Sequence, residues 1–173
     1  MYKKVSACVY NYSKLARDMN GEWSMVLING RDLTVEEVIR VCRNDEEVKL
    51  TGEAEKNVQK ARDYIEKKLA EKAVIYGLTT GFGKFSNVVI SNEETEKLQR
   101  NLIISHTCSM GEAYPREQVR AAMLLRCNAL ARGNSGIRLS TLKTLIDMLN
   151  RGVHPIVPQK GSLGASGDLA PLS

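Results

Sequence analysis

Apolar residues recur at intervals of three and four along most of the chain, which predicts a mainly helical protein. The clearest series indicates a helix of four or more turns and comprises Ala54, Val58, Ala61, Ile65 and Leu69. A later series leads into Ser105 and His106 and comprises Leu98, Leu102 and Ile103. Two more follow, comprising Val119, Ala122, Met123, Leu125 and Ala129, and then Leu142, Leu145, Ile146 and Leu149. Each series places its members on one helix face.

Helix boundaries are marked by residues that satisfy free backbone groups. The pairs Thr34/Glu37 and Ser91/Glu94 have the S/T-x-x-E spacing of a capping box, so helices are predicted to begin there, the first ending near Arg43. Other boundary residues are Pro115 and Ser140 at helix starts, and Gly133 and Gly152 at helix ends.

The N-terminal region lacks the helical periodicity of the rest of the chain. Residues 1–25 show no sustained period and are interpreted as an N-terminal extension, with residues 26–173 forming the folded domain. Val26-Leu27-Ile28 is an extended stretch before an Asn29-Gly30 turn signal, which predicts short strands or a hairpin near the N-terminus.

Length and charge narrow the function classes. A chain of 173 residues suits one ordinary domain. The net charge of +5 is spread along helical segments, and only 2 Phe and 1 Trp are present, so nucleic-acid binding is disfavoured. No apolar run reaches the roughly 20 residues of a membrane span, and no signal-peptide pattern follows Lys3 and Lys4. A soluble, cytoplasmic protein is expected.

The 4 cysteines include no C-x-x-C pair, which favours free thiols in a reducing compartment. His106 and Cys108 lack a second pair at zinc spacing, so no metal site is predicted.

Two glycine-rich segments suggest catalytic loops, but their residue spacing does not match the known loop motifs. Gly77–Lys84 lacks the Gly and the Ser or Thr that a phosphate-binding loop would need at positions 78 and 85. Gly164–Asp168 has Asp where a G-x-S-x-G nucleophile elbow needs its second glycine. Taken singly, each is an ordinary turn.

Residues 152–173 are rich in Pro and Gly, and Lys160 and Asp168 are among their few charges. An apolar loop of this kind is expected to pack into a larger body, and we expect the chain to be the N-terminal part of a longer protein.

Several segments together resemble the aromatic amino acid ammonia-lyase family. They are Tyr76–Gly83, Leu124–Gly133, Ser135–Arg138 and Gly161–Ser173, in matching order from about Val26 onward. The resemblance implies the helical fold of that family and a homotetramer whose sites form between subunits. It also implies that Ala165-Ser166-Gly167 becomes a methylidene-imidazolone (MIO), an internal electrophile made when the Gly167 nitrogen attacks the Ala165 carbonyl and two waters leave. Ser166 would supply the hydroxyl whose elimination creates the alkene.

The resemblance assigns two further residues. Tyr76 matches the family's lid-loop tyrosine, which handles a proton during elimination, and His106 matches a histidine that contacts the substrate ring. Asn101–His106 and Cys108–Glu112 look most like the histidine-specific branch. Tyrosine-specific lyases and aminomutases also carry histidine at this position.

The expected activity of the complete protein is the elimination of ammonia from L-histidine to give trans-urocanate, a carbon–nitrogen lyase reaction of histidine catabolism. The alternatives are a tyrosine ammonia-lyase or aminomutase, or an inert fragment that acts as a folding or assembly module. The 173-residue chain alone is expected to be inactive, with its Ala165-Ser166-Gly167 segment uncyclised.

Overall fold

The structure, a computed structural model, describes residues 25–81, 90, 92–161 and 170. In chain order its elements are β1 (Met25–Ile28), α1 (Val35–Asn44), β2 (Glu47–Leu50), α2 (Gly52–Ala70), α3 (Asn92–His106), β3 (Met110–Ala113), α4 (Arg116–Ala131), α5 (Leu139–Asn150) and β4 (Pro158–Lys160). The mainly helical prediction is therefore confirmed. The chain divides into two compact units, one comprising residues 25–62 and 115–155 and the other residues 63–114 with those from 156 onward.

In the first unit, β1 and β2 are parallel, with Val26 opposite Val48, and α1 connects them. The short strand is confirmed, but a hairpin at the Asn29-Gly30 turn is wrong. The side-chain oxygen of Asn29 accepts hydrogen bonds from the backbone N–H groups of Arg31 and Asp32 at 2.8 and 3.1 Å. This turn leads the chain into a helix instead of back along β1, so the strand's partner comes from beyond α1.

The capping box at the start of α1 is confirmed. The Thr34 hydroxyl accepts from the Glu37 N–H at 3.3 Å, and the Glu37 carboxylate accepts from the Thr34 N–H at 2.8 Å. The helix ends at Asn44, next to the predicted Arg43, and Asp45 follows in the left-handed conformation at φ +57°. The corresponding prediction at Ser91 lies outside the described residues.

The core of the first unit forms where α1, α4 and α5 pack with the strands. Its most buried apolar side chains are Val26, Ile28, Val41, Val48, Leu124, Cys127, Leu142 and Leu149. On α4 the buried face runs through Leu124, whereas Leu125 is 53% exposed and Ala122 and Ala129 are exposed too. The predicted apolar series of this helix is thus partly wrong: successive residues differ by about 100° around a helix, and the sequence permitted either leucine to face the core.

A buried arginine ties three segments of this unit together. Arg120 is 1% exposed, and its guanidinium donates to the carbonyls of Leu149 and Val41 at 2.9 and 2.8 Å. Those carbonyls belong to the last turns of α5 and α1, which are the negative ends of two helix dipoles. Asp45 lies 3.0 Å from the same guanidinium and also pairs with Arg116.

The side-chain amide of Asn150 completes the outer edge of β2. It accepts from the Val48 N–H and donates to the Val48 carbonyl, both at 2.9 Å. Both backbone groups of the middle of this strand are thereby satisfied.

In the second unit, β3 and β4 are antiparallel, with Met110 opposite Lys160 and Ala113 opposite Pro158. The Tyr114 N–H extends the pairing by donating to the Val157 carbonyl at 2.9 Å. Part of the proline- and glycine-rich segment predicted to be a shaped loop is therefore a strand. No helix in the described part of the chain combines the length and apolarity that a bilayer crossing requires.

Candidate active site

Tyr76 lies in a tight turn after α2 that two threonines organise. The Thr79 hydroxyl accepts from the Ile75 N–H at 2.8 Å and donates to the Ala73 carbonyl at 3.0 Å. Gly77 adopts φ +71°, which a residue with a side chain rarely tolerates. The turn presents Tyr76 with 62% of its surface exposed.

Thr80 is a buried residue that also stabilises this turn through hydrogen bonds. It is 2% exposed, and its hydroxyl accepts from the Gly77 N–H at 3.3 Å and donates to the Gly81 carbonyl at 3.1 Å. Thr79 and Thr80 are not among the site residues predicted from the sequence. A Thr-Thr pair between glycines is nonetheless a recognisable signal, because short hydroxyl side chains commonly bond to nearby backbone groups in turns.

His106 is the last residue of α3 and is half-buried. Its Nδ1 lies 2.8 Å from the Leu102 carbonyl oxygen and 3.0 Å from the Ser105 hydroxyl. That hydroxyl also lies 2.8 Å from the Leu102 oxygen. The imidazole is therefore held at one nitrogen by the final turn of its own helix.

These contacts determine where the proton of a neutral His106 ring resides. The Leu102 oxygen can only accept, so Nδ1 must carry the hydrogen to make a bond at 2.8 Å. The other nitrogen, Nε2, is then an acceptor. Within the described residues Nε2 has no hydrogen-bond partner.

The segment after His106 meets the segment that leads toward Ala165-Ser166-Gly167. Ser109 precedes β3, and Gly161 follows β4. A Cβ built on Gly161 would lie 2.8 Å from the Ser109 Cα, so the two backbones are in close contact. The predicted electrophile residues Ala165, Ser166 and Gly167 themselves lie outside the described residues, as does Gly83 of the Tyr76 segment.

Tyr76 and His106 belong to the same compact unit, on separate elements. Their catalytic and substrate-binding roles remain predictions. No group of three or more His, Cys, Asp or Glu in the described ranges could hold a metal ion.

The groups with perturbed pKa values in the first unit are structural. Burial raises the pKa of Cys127 to about 12, and burial also raises the pKa of Cys42 against the opposing effect of the Arg120 charge. Burial lowers the pKa of Arg120 itself, which Asp45 partly offsets. These thiols behave as small apolar side chains of the core.

A family model described as aromatic amino acid lyase matches residues 33–173. The chain belongs to the aromatic amino acid lyase family. The match covers both the Tyr76 turn and the helix that ends at His106.

Curated relatives of this chain include histidine ammonia-lyases from Alkaliphilus oremlandii and Alkaliphilus metalliredigens. They are 57% and 58% identical to it over 148 residues, which is 86% of this chain and 29% of each relative. A histidine ammonia-lyase from Caldanaerobacter subterraneus is 55% identical over the same share. The chain thus spans about 29% of the length of the curated relatives it matches.

Solved structures of the family share the fold. The ergothionase of Treponema denticola has a TM-score of 0.79 at 35% identity, over 86% of this chain and 30% of that one. Tyrosine aminomutase from Streptomyces globisporus has a TM-score of 0.77 at 35% identity, covering 86% and 28%. Histidine ammonia-lyase from Trypanosoma cruzi has a TM-score of 0.75 at 33% identity, again covering 86% and 28%. This chain therefore has the fold of the N-terminal part of those proteins.

Proposed function

We propose that the complete protein containing this chain is a histidine ammonia-lyase, which converts L-histidine to trans-urocanate and ammonia. One observation carries the proposal: the identity of 50–58% to curated histidine ammonia-lyases over most of this chain. Identity to the solved structures does not separate the two substrates, since it is 35% to the tyrosine aminomutase and 33% to the histidine ammonia-lyase of Trypanosoma cruzi. The proposal includes a homotetramer and a cytoplasmic location, as the family resemblance implies.

The chain contributes the residues that form the MIO group. Ring closure joins the Gly167 nitrogen to the Ala165 carbonyl carbon, and two waters leave, one with that carbonyl oxygen and one with the Ser166 hydroxyl. Glycine suits the nucleophilic position because no side chain hinders its nitrogen. Gly161, the last described residue before this segment, precedes Ala165 by four residues, a span of at most about 14 Å. When formed, the group supplies an internal electrophile.

His106 recognises the substrate ring through Nε2. With its Nδ1 hydrogen directed to the Leu102 carbonyl, the neutral imidazole offers Nε2 as an acceptor. An imidazole substrate can present a ring N–H to that acceptor. A phenyl ring has no such donor, so the arrangement favours histidine over phenylalanine.

Tyr76 handles a proton during the elimination. Its turn is held from both sides by Thr79 and Thr80, while the ring remains largely exposed. A hydrogen-bonded turn that carries an exposed phenol suits a loop residue that contacts the substrate.

Tyrosine is the second candidate substrate. A phenol O–H is also a donor that Nε2 of His106 could accept, and a solved tyrosine aminomutase shares the fold at a TM-score of 0.77. A lyase and an aminomutase are distinguished by their products, a cinnamate-type acid with free ammonia or a β-amino acid.

The decisive experiment is Ser166→Ala in the complete protein, with Ser162→Ala as the matched control. Removing the Ser166 hydroxyl prevents alkene formation, so urocanate production, followed by its ultraviolet absorbance, should fall by orders of magnitude. The control should retain activity, since its hydroxyl lies outside the Ala-Ser-Gly motif. Near-normal turnover by Ser166→Ala would refute the electrophile assignment. Absence of turnover by the unmodified complete protein on histidine and tyrosine would refute the proposed activity.

A further inference from the structure

The contact between Gly161 and Ser109 is one that only glycine permits. Gly161 adopts φ +139°, a conformation that residues with side chains rarely take. A Cβ on it would lie 2.8 Å from the Ser109 Cα and 3.0 Å from the Ser109 Oγ. The Cα is backbone and cannot rotate away, so one of the two segments would have to shift.

Ser109 is fixed on the side of α3. The Cys108 N–H donates to the His106 carbonyl at 2.8 Å, and the Thr107 hydroxyl donates to the Ile103 carbonyl at 2.8 Å. The connection from the helix to Ser109 is therefore bonded back onto the last turn that carries the imidazole.

Gly161 is fixed on the side of β4. The strand pairing places Lys160 opposite Met110, so the residues adjacent to the contact are held in register. Gly111, at φ +88°, lets the Lys160 stem pass close by, since a Cβ there would be 3.4 Å from that side chain. The contact thus closes the open end of a two-stranded sheet. The Ser109 hydroxyl is buried and has no hydrogen-bond partner in the described part of the chain.

We propose that Gly161 and Ser109 are positioning residues for ring closure in Ala165-Ser166-Gly167. The inference rests on the proposed function. Ring closure needs an amide nitrogen, a poor nucleophile, to be held against a carbonyl carbon, and small misplacements of reacting atoms are costly. The contact fixes the chain four residues before Ala165, which limits the directions in which the segment can leave β4.

The test compares glycine substitutions in the complete protein. Gly161→Ala should slow ring closure by about tenfold to a hundredfold, the order expected for a displacement near 1 Å. Gly52→Ala is the matched control, because a Cβ at Gly52 meets nothing within 4 Å. Intact mass after fixed times gives the fraction that has lost two waters, and thermal denaturation tells whether the variant is folded.

A second variant crowds the same contact from the other side. Ser109→Val adds bulk against Gly161 and should also slow ring closure, which keeps the proposal testable where Gly161→Ala does not fold. A wild-type rate in a folded Gly161→Ala protein, or an equal slowing in Gly52→Ala, would overturn the positioning role. If the unsubstituted complete protein never loses two waters, the proposed function fails and this inference fails with it.

Discussion

His106 shows how one backbone carbonyl can set the chemistry of a side chain. The Leu102 oxygen binds the Nδ1 hydrogen, so the neutral ring is an acceptor at Nε2. The sequence could indicate the residue through its family resemblance. It could not indicate the tautomer, which depends on a distance of 2.8 Å between two atoms four residues apart.

Replacing this acceptor should change the substrate preference of the complete protein. His106→Leu should lower kcat/KM for histidine relative to phenylalanine by about tenfold to a hundredfold, because an unpaired buried polar group costs about 1–3 kcal/mol. His106→Gln, which retains an acceptor, should lose less. Steady-state kinetics on both substrates provide the measurement, and an unchanged ratio in His106→Leu would place the residue outside the ring pocket.

The cysteines offer a test on the 173-residue chain itself. Burial raises the pKa of Cys127 to about 12, so at pH 8 only about one molecule in ten thousand carries the thiolate. Iodoacetamide should therefore modify the exposed Cys108 and spare Cys42 and Cys127, as peptide mass mapping would show. In guanidinium chloride all 4 cysteines of the chain should react. Rapid labelling of Cys127 without denaturant would contradict the described core.

Among the elements, α1, α4 and α5 depend on Arg120 for more than packing. Its guanidinium occupies the point where the last turns of α1 and α5 both present carbonyl oxygens, and Asp45 supplies the opposite charge. Through its two terminal nitrogens this buried arginine joins two helix ends whose carbonyls would otherwise be unpaired, while its Nε has no hydrogen-bond partner in the described residues.

Arg120→Met should destabilise the chain by about 2–6 kcal/mol, because the carbonyls of Leu149 and Val41 lose their donor and each unsatisfied buried acceptor costs about 1–3 kcal/mol. Arg116→Met is the control: Arg116 pairs with the same Asp45 at 2.6 Å but is 42% exposed, and a surface pair is worth about 0–1 kcal/mol. Urea denaturation of both variants gives the comparison. Equal losses of unfolding free energy would show that burial of Arg120 adds nothing.

The helices and strands also show which structural features could be predicted from residues close together in the sequence. The capping box of Thr34 and Glu37 was predictable because its partners are three residues apart. The parallel pairing of β1 with β2 was not, since it is formed across a helix, and the choice of Leu124 over Leu125 for the core depends on what α4 packs against. From the sequence alone, an arginine such as Arg120 is expected at the surface. Its burial is explained only by its three partners in the structure.

At the scale of the whole molecule, the chain corresponds to only part of each curated relative. It divides into two compact units and spans about 29% of the length of its curated relatives. The family and the helical fold were predictable because several segments resemble the family and occur in the same order across much of the chain. The proposed site was predictable only as individual residues, since its assembly depends on contacts between distant segments.

We expect the 173-residue chain, expressed alone, to keep Ala165-Ser166-Gly167 uncyclised. A strained turn persists only where the surrounding structure over-determines it, and the matched region is only 29% of each relative, so most of a relative's chain lies outside that region and can provide this support. Intact mass distinguishes the outcomes, with the complete protein as the positive control. A 173-residue chain lighter by two waters would show that this portion suffices for ring closure.

The amide of Asn150 has a consequence for aggregation. By bonding both backbone groups of Val48, it occupies the place that a strand from another molecule would take. An open strand edge is a template for intermolecular pairing, and a single carboxamide covers the middle of this one. Substituting Asn150 with leucine would therefore leave the Val48 backbone groups of this four-residue strand free to pair with a second chain, and the visible result would be turbidity rather than loss of helix.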